Sequence, residues 1–138
     1  MISVRKQEVV KLEDVLHLYQ AVGWTNYTHQ PQMLEQALSH SLAIYMALDG
    51  DAVVGLVRLV GDGFSSVFIQ DLIVLPCYQR QGIGSNLMKE ALGDYKDAYQ
   101  VQLVTDQTGK NLGFYCSLGF ETLSTFDCTG MIWVDRKK

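Results

Sequence analysis

Apolar residues in the first forty positions recur at helical spacing. Leu12, Val15, Leu16 and Tyr19 share one face, which predicts an amphipathic helix over 11–22 with Gly23 as its stop. A polar and aromatic stretch, Trp24-Thr25-Asn26-Tyr27-Thr28, follows it. Pro31 suits the first turn of a second helix carrying Met33, Leu34, Ala37 and Leu38. Ahead of both, residues 2–5 read as a short strand. The pattern then changes to apolar runs at 43–48, 52–60 and 64–74. Asp49-Gly50-Asp51 and Gly61-Asp62-Gly63 separate the runs, and Asp-Gly steps favour tight hairpins. A three-stranded antiparallel meander ending at Pro76 is expected.

Beyond Pro76 the helical period returns. Gly82 and Gly84 open a segment with Ile83, Leu87, Met88, Ala91 and Leu92 on one side. Residues 101–105 read as a short strand. Thr108 can cap a helix reaching about Leu118, which Gly119 ends. Residues 120–123 and 131–134 read as closing strands. The order predicts an α/β (α+β) fold with a mixed sheet and helices on both faces.

Composition narrows the function classes. The chain has 138 residues, 48% apolar and 19% charged, enough to bury a core in a single domain spanning 1–138. Its net charge of -4 argues against broad capture of nucleic acid, which needs clustered Lys and Arg. The one basic run, Arg136-Lys137-Lys138, reads as a solvated end. No apolar run approaches the ~20 residues of a membrane span, and residues 1–12 carry no signal-peptide core. No membrane partner and a cytoplasmic location follow as expectations. Cys77, Cys116 and Cys128 match no zinc or redox spacing and read as reduced thiols. His17, His29 and His40 show no close metal spacing, so solvated or capping roles are expected and no metal site is assigned.

The most informative stretch runs from Asp71 through Val74-Leu75-Pro76 to Gln79-Arg80-Gln81-Gly82-Ile83-Gly84. A β-rich run enters a turn, then glycines, then a helix. Glycine lets backbone N–H groups approach a ligand without a Cβ in the way. The helix start adds unpaired donors and a positive partial charge, a combination that binds phosphate. Arg80 can add a charge contact. A P-loop needs Gly-Lys-Ser/Thr, but Ser85-Asn86 follows Gly84; the dinucleotide fingerprint needs glycine where Leu87 stands. Taken alone, the two glycines also fit a plain tight turn.

Gln79-Arg80-Gln81-Gly82-Ile83-Gly84 resembles the Gln/Arg-x-x-Gly-x-Gly/Ala signature of the GNAT acetyltransferases. Phe114-Tyr115-Cys116-Ser117-Leu118-Gly119-Phe120 is similar to that family's Phe-Tyr-x-x-x-Gly-Phe element. Both motifs lie in the family order, and the likeness covers nearly the whole chain. It implies a GNAT-type sheet, mixed but mostly antiparallel, of six to seven strands with a splayed acetyl-CoA cleft.

The resemblance also implies roles. Gln79, Arg80, Gln81, Gly82, Ile83, Gly84 and Ser85 would hold the diphosphate of acetyl-CoA. Backbone groups near Leu72, Ile73 and Val74 would pair with the pantetheine arm as a missing strand would. Tyr115 is similar to the tyrosine that protonates the departing thiolate, with Phe114 beside it at the cofactor. Asn111, one turn earlier, either bonds the pantetheine or is a surface amide. Many relatives carry asparagine where this chain has Thr108; a cap can take over its helix-start role, which puts a cofactor contact there in doubt.

The acceptor amine must be neutral to attack a thioester, so a proton has to leave. Relatives often use a carboxylate on the fourth strand, where this chain has Gln70 and Asp71 on opposite faces. Asp71 is the candidate base. A structural Asp71, bonded to backbone or Arg58, and a water relay are the alternatives. Trp24, Tyr27 and Thr28 are candidates for an acceptor wall, with core packing the other reading of Trp24. The expected activity is transfer of acetyl from acetyl-CoA to a primary amine of a small molecule or peptide by direct attack. A non-catalytic acyl-CoA sensor and an interaction module of the same fold are the competing classes. Fold-level analogy adds a homodimer.

Overall fold

The computed structural model describes residues 1–135, so the basic run at 136–138 lies outside the described residues. The chain divides into two compact units, Met1–Leu103 and Val104–Lys138.

In the first unit the apolar runs become strands, because each finds a neighbour for its backbone donors. The strands are β1 (Ile2–Gln7), β2 (Ala43–Asp49), β3 (Ala52–Gly61), β4 (Ser66–Val74) and β5 (Gln100–Leu103). Among the described residues they form one sheet in the order β1-β2-β3-β4-β5. The first four pair antiparallel, and β5 lies parallel to β4. Parallel pairing needs a crossover, which contains α4 (Ile83–Asp94). Between β1 and β2 run α1 (Leu12–Ala21), the single turn α2 (Thr25–Thr28) and α3 (Pro31–Ser39), which starts on its proline. β4 begins later than its apolar run. The Asp62 carboxylate accepts N–H bonds from Phe64, Ser65 and Ser66 and holds that stretch in the turn.

Helices cover both faces of this sheet. Ile44 and Met46 of β2 pack in one core with Val15, Leu18, Leu34 and Leu38 of α1 and α3. Tyr45 points the other way, and its hydroxyl donates to Asp94 at the end of α4 over 2.6 Å. Buried Leu87 and Met88 come from α4. Gly55 permits its close approach. A Cβ there would stand 2.9 Å from the Ile73 carbonyl oxygen and 3.3 Å from Leu87 Cδ1. Full burial contributes roughly 1.5–3 kcal/mol per large aliphatic side chain.

Two irregularities shape β4. The register with β3 shifts between Arg58, which faces Asp71, and Leu59, which faces Ile69. Gln70 is therefore the extra residue of a bulge. Pairing with β5 covers only Ser66 to Ile69. Residues 70–74 run on with no β5 partner, so the sheet opens on that side.

In the second unit, α5 (Gly109–Ser117) is capped by Thr108, whose Oγ1 accepts from the Asn111 N–H at 3.2 Å. The expected closing strands do not form. Residues 120–122 are irregular, Leu123–Phe126 is a 3-10 turn, and 131–135 has no regular structure. The sheet thus has five strands among the described residues, against six to seven expected. Ser124-Thr125 favours a turn through local side-chain bonding, and Thr122 Oγ1 bonds Ser124 Oγ at 2.9 Å. The run 131–134 has strand-like composition, but a strand also needs a partner edge, which composition does not supply. Among the described residues no helix is long and apolar enough to cross a membrane. Cys77, Cys116 and Cys128 are free thiols, and His40 caps α3 by bonding the Gln36 carbonyl at 2.8 Å.

Candidate active site

β4 ends where the Leu75 N–H donates to the Val54 carbonyl at 2.9 Å. Pro76–Tyr78 forms a 3-10 turn. The Tyr78 hydroxyl then donates to Asp49 Oδ2 over 2.6 Å, and Gln79 Nε2 donates to the Val74 carbonyl over 3.1 Å. Arg80 follows with φ of 65° and Gly82 with φ of 79°, both left-handed. Ile83 drops into the core and starts α4. Among the described residues, the amides of Arg80, Gln81 and Gly82 donate to no carbonyl or side chain. Ile83, Gly84 and Ser85 occupy the first turn of α4, where a helix offers no internal acceptor. Six consecutive N–H groups are thus available at the positive end of a twelve-residue helix. Such a run of donors is of the kind that can bind an anion.

The open edge of β4 adjoins this loop. Leu75 turns its backbone toward β3, as does Ile73, whose carbonyl lies against Gly55. Backbone direction alternates, so Leu72 and Val74 present theirs to the open side. Of the three residues assigned to pantetheine pairing, these two face the open edge and Ile73 is committed to the sheet.

Asp71 sits at the centre of a buried polar cluster. It is 3% exposed and Arg58 is 4% exposed. Arg58 Nε donates to Asp71 Oδ2 at 2.8 Å, as does the Tyr19 hydroxyl at 2.8 Å. The Tyr27 hydroxyl donates to Oδ1 at 2.9 Å and accepts from the Arg58 guanidinium at 3.1 Å. Arg58 also reaches Ser41 Oγ at 3.2 Å. Burial first, then the Asp71 charge, pushes the Tyr19 and Tyr27 phenols above their ordinary range, so both stay protonated and donate. For Arg58 burial pulls the pKa down, but the carboxylate more than offsets it and the net shift is upward. Among the described residues no buried side-chain polar atom lacks a partner.

Trp24 and Tyr27 stand together beside this cluster. Tyr19 meets Tyr27 edge-on with ring centroids 5.0 Å apart, and Trp24 edge-on at 6.1 Å. Trp24 packs on the apolar core while half-exposed, and Thr28 is half-buried on the same short turn. Sequence reasoning missed Tyr19, Ser41, Tyr78 and Asp49. Tyr19 reads as one more apolar position of α1, and the others carry no signal until strands bring them near their partners.

Tyr115 belongs to the second unit. Its ring packs edge-on against Phe114 at 5.0 Å and Phe120 at 6.0 Å. Burial pushes its phenol pKa upward. Asn111 lies one helical turn before it on α5, with its backbone N–H used by the Thr108 cap.

Known proteins share this fold. Residues 7–135 match the model of the acetyltransferase (GNAT) domain, across both units. A GNAT-family acetyltransferase from Streptococcus pneumoniae TIGR4 is 78% identical, with a TM-score of 0.91 over 99% of both chains. An uncharacterized N-acetyltransferase of Prochlorococcus marinus is 29% identical over 86% of this chain, which spans 65% of that protein's length. An N-acetyltransferase from Thermoplasma acidophilum, solved with coenzyme A, shares the fold at 19% identity, with a TM-score of 0.66 over 86% of this chain and 90% of that one. The amide cradle, the opened β4 edge and a domain match running from Gln7 to Asp135 lead to one conclusion: this chain belongs to the GNAT acetyltransferase family.

Proposed function

We propose that this protein transfers the acetyl group of acetyl-CoA to a primary amine of a small molecule or peptide within a ternary complex. The observation that carries the reading is the run of six available amides from Arg80 to Ser85 beside the unpaired edge of β4. A diphosphate fits such donors because each anionic oxygen replaces water with a preorganised N–H. The coenzyme A held by the Thermoplasma neighbour supports this choice of ligand.

Acetyl-CoA, when bound, supplies an activated thioester. The amides of 80–85 hold its diphosphate, and the backbone of Leu72 and the N–H of Val74 pair with its amide-bearing arm, the Val74 carbonyl being taken by Gln79. The GNAT resemblance assigns Asn111 and Phe114 of α5 to the same cofactor. The neutral amine forms the new C–N bond as the C–S bond breaks. The GNAT resemblance assigns the proton for the departing sulfur to Tyr115, whose phenol pKa burial shifts upward and which is protonated at neutral pH, and solvent returns a proton to the phenolate. Trp24, Tyr27 and Thr28 line the acceptor side. A water takes the amine proton. Support for water over Asp71 is that both Asp71 oxygens already accept bonds from Arg58, Tyr19 and Tyr27.

The occupied Asp71 also favours a second reading, an acyl-CoA-binding module without turnover. One experiment separates them. Acetyl-CoA should raise the melting temperature, as any ligand of the folded state does. A panel of aminoglycosides, polyamines, amino acids and short peptides should then reveal free thiol release with at least one acceptor. Stabilisation without release selects the binding module; no stabilisation sinks both readings.

A further inference from the structure

The amide cradle depends on a conformation that its own residues do not favour. Arg80 has φ of 65°, a left-handed geometry that is disfavoured for a residue with a Cβ. Such a residue persists only where its surroundings over-determine it. Packing does not hold residues 80–82, which are exposed. What holds them is a pin at each end. On the helix side Ile83 is buried. On the strand side Tyr78 is tied to Asp49 of β2, and Gln79 reaches back five residues to the Val74 carbonyl. The Gln79 side chain is exposed, and among the described residues that 3.1 Å bond is its one hydrogen bond. The bond also satisfies a carbonyl on the open edge of β4, where β5 offers no partner.

We infer that the Gln79 side chain is a positioning residue, which sets the amides of Arg80 to Gly82 for a diphosphate by tethering the loop to Val74. The inference rests on the acetyl-CoA reading and goes beyond it. The side chain acts through the arch and touches no phosphate. Its loss should therefore weaken a diphosphate-bearing ligand and spare one that lacks the diphosphate.

Two neutral variants test this without adding charge. Gln79→Met has the reach but no N–H, and Gln79→Asn has the N–H but is one methylene too short. Dissociation constants are measured for acetyl-CoA by calorimetry and for S-acetylpantetheine, which has no diphosphate, by NMR titration into the millimolar range. Both variants should bind acetyl-CoA about fivefold more weakly, the loss of roughly one net hydrogen bond. S-acetylpantetheine should change less than about twofold, within the spread of a lost surface contact. Unchanged acetyl-CoA affinity, or equal losses for both ligands, overturns the inference while leaving the acetyl-CoA reading intact. Tighter S-acetylpantetheine binding would show the side chain blocking the edge and would also overturn it. A wild-type protein that binds no acetyl-CoA ends the functional reading and this inference together.

Discussion

Arg58 and Asp71 are register partners on β3 and β4, and their side chains meet at 2.8 Å between Nε and Oδ2. The pair lies next to the bulge that leaves Gln70 unmatched. A cross-strand ion pair at 3–4% exposure would be costly if isolated, because both charges lose water. Tyr19, Tyr27 and Ser41 supply the extra bonds that make the geometry tolerable. The cluster thereby ties α1 and the short α2 to β4 of the sheet.

Removing the charge from one partner should therefore be expensive. Asp71→Asn leaves Arg58 buried without its counter-charge, and about 3 kcal/mol or more of stability should be lost. Urea unfolding measures it. The protein that stays folded should keep the acidic limb of its pH–rate profile in place. Disappearance of that limb would make Asp71 the base after all.

Alkali should weaken the fold through the buried phenols. Tyr19, Tyr27 and Tyr45 all have pKa values raised above the ordinary 10, chiefly by burial. The protonated form is favoured when folded, so the unfolded chain loses protons first. Stability is then full below about pH 10 and falls above it, by up to ~1.4 kcal/mol per pH unit for each phenol. Melting curves from pH 8 to 11 should show the decline, and Tyr19→Phe should flatten it. An unchanged slope in that variant would contradict the assignment.

Gly82 takes φ of 79° with open space around it, so a Cβ meets a conformational cost and no clash. Gly82→Ala should lower stability by about 1 kcal/mol. By disturbing the arch it should also raise the dissociation constant for acetyl-CoA. Calorimetry on the folded variant decides; equal affinity would detach the arch from the ligand.

Tyr115→Phe removes one hydroxyl and keeps the ring that packs on Phe114 and Phe120. Turnover should fall by about a hundredfold, the usual worth of a positioned proton donor. Acetyl-CoA affinity should stay within about twofold, the scale of a small local change. Steady-state rates and calorimetry on the same preparation check both. A rate equal to wild type would end the donor role.

Much of the first unit was legible because its signals are local. The Asp-Gly and Gly-Asp-Gly turns fall where the meander turns, and Pro31 opens α3. Thr108 caps α5, as its place before an apolar helix suggests. The closing strands at 120–123 and 131–134 were misread. Strand composition reports how a side chain suits a pleated surface and says nothing about an available edge.

The amino-acid order alone determined the strands and the longer helices of the first unit and the glycine-bearing helix start, since periodicity, caps and turn residues act within a few positions, but not the short turns at 25–28 and 76–78. Tertiary structure decided what surrounds Asp71. A carboxylate becomes a base or a buried anchor according to its neighbours. Those neighbours, Arg58, Tyr19 and Tyr27, lie 13 to 52 positions away and meet it only when β3, α1 and α2 close over β4. The same holds for Gln79, whose side chain bonds the Val74 carbonyl because the sheet opens after Ile69 and leaves that carbonyl within its reach.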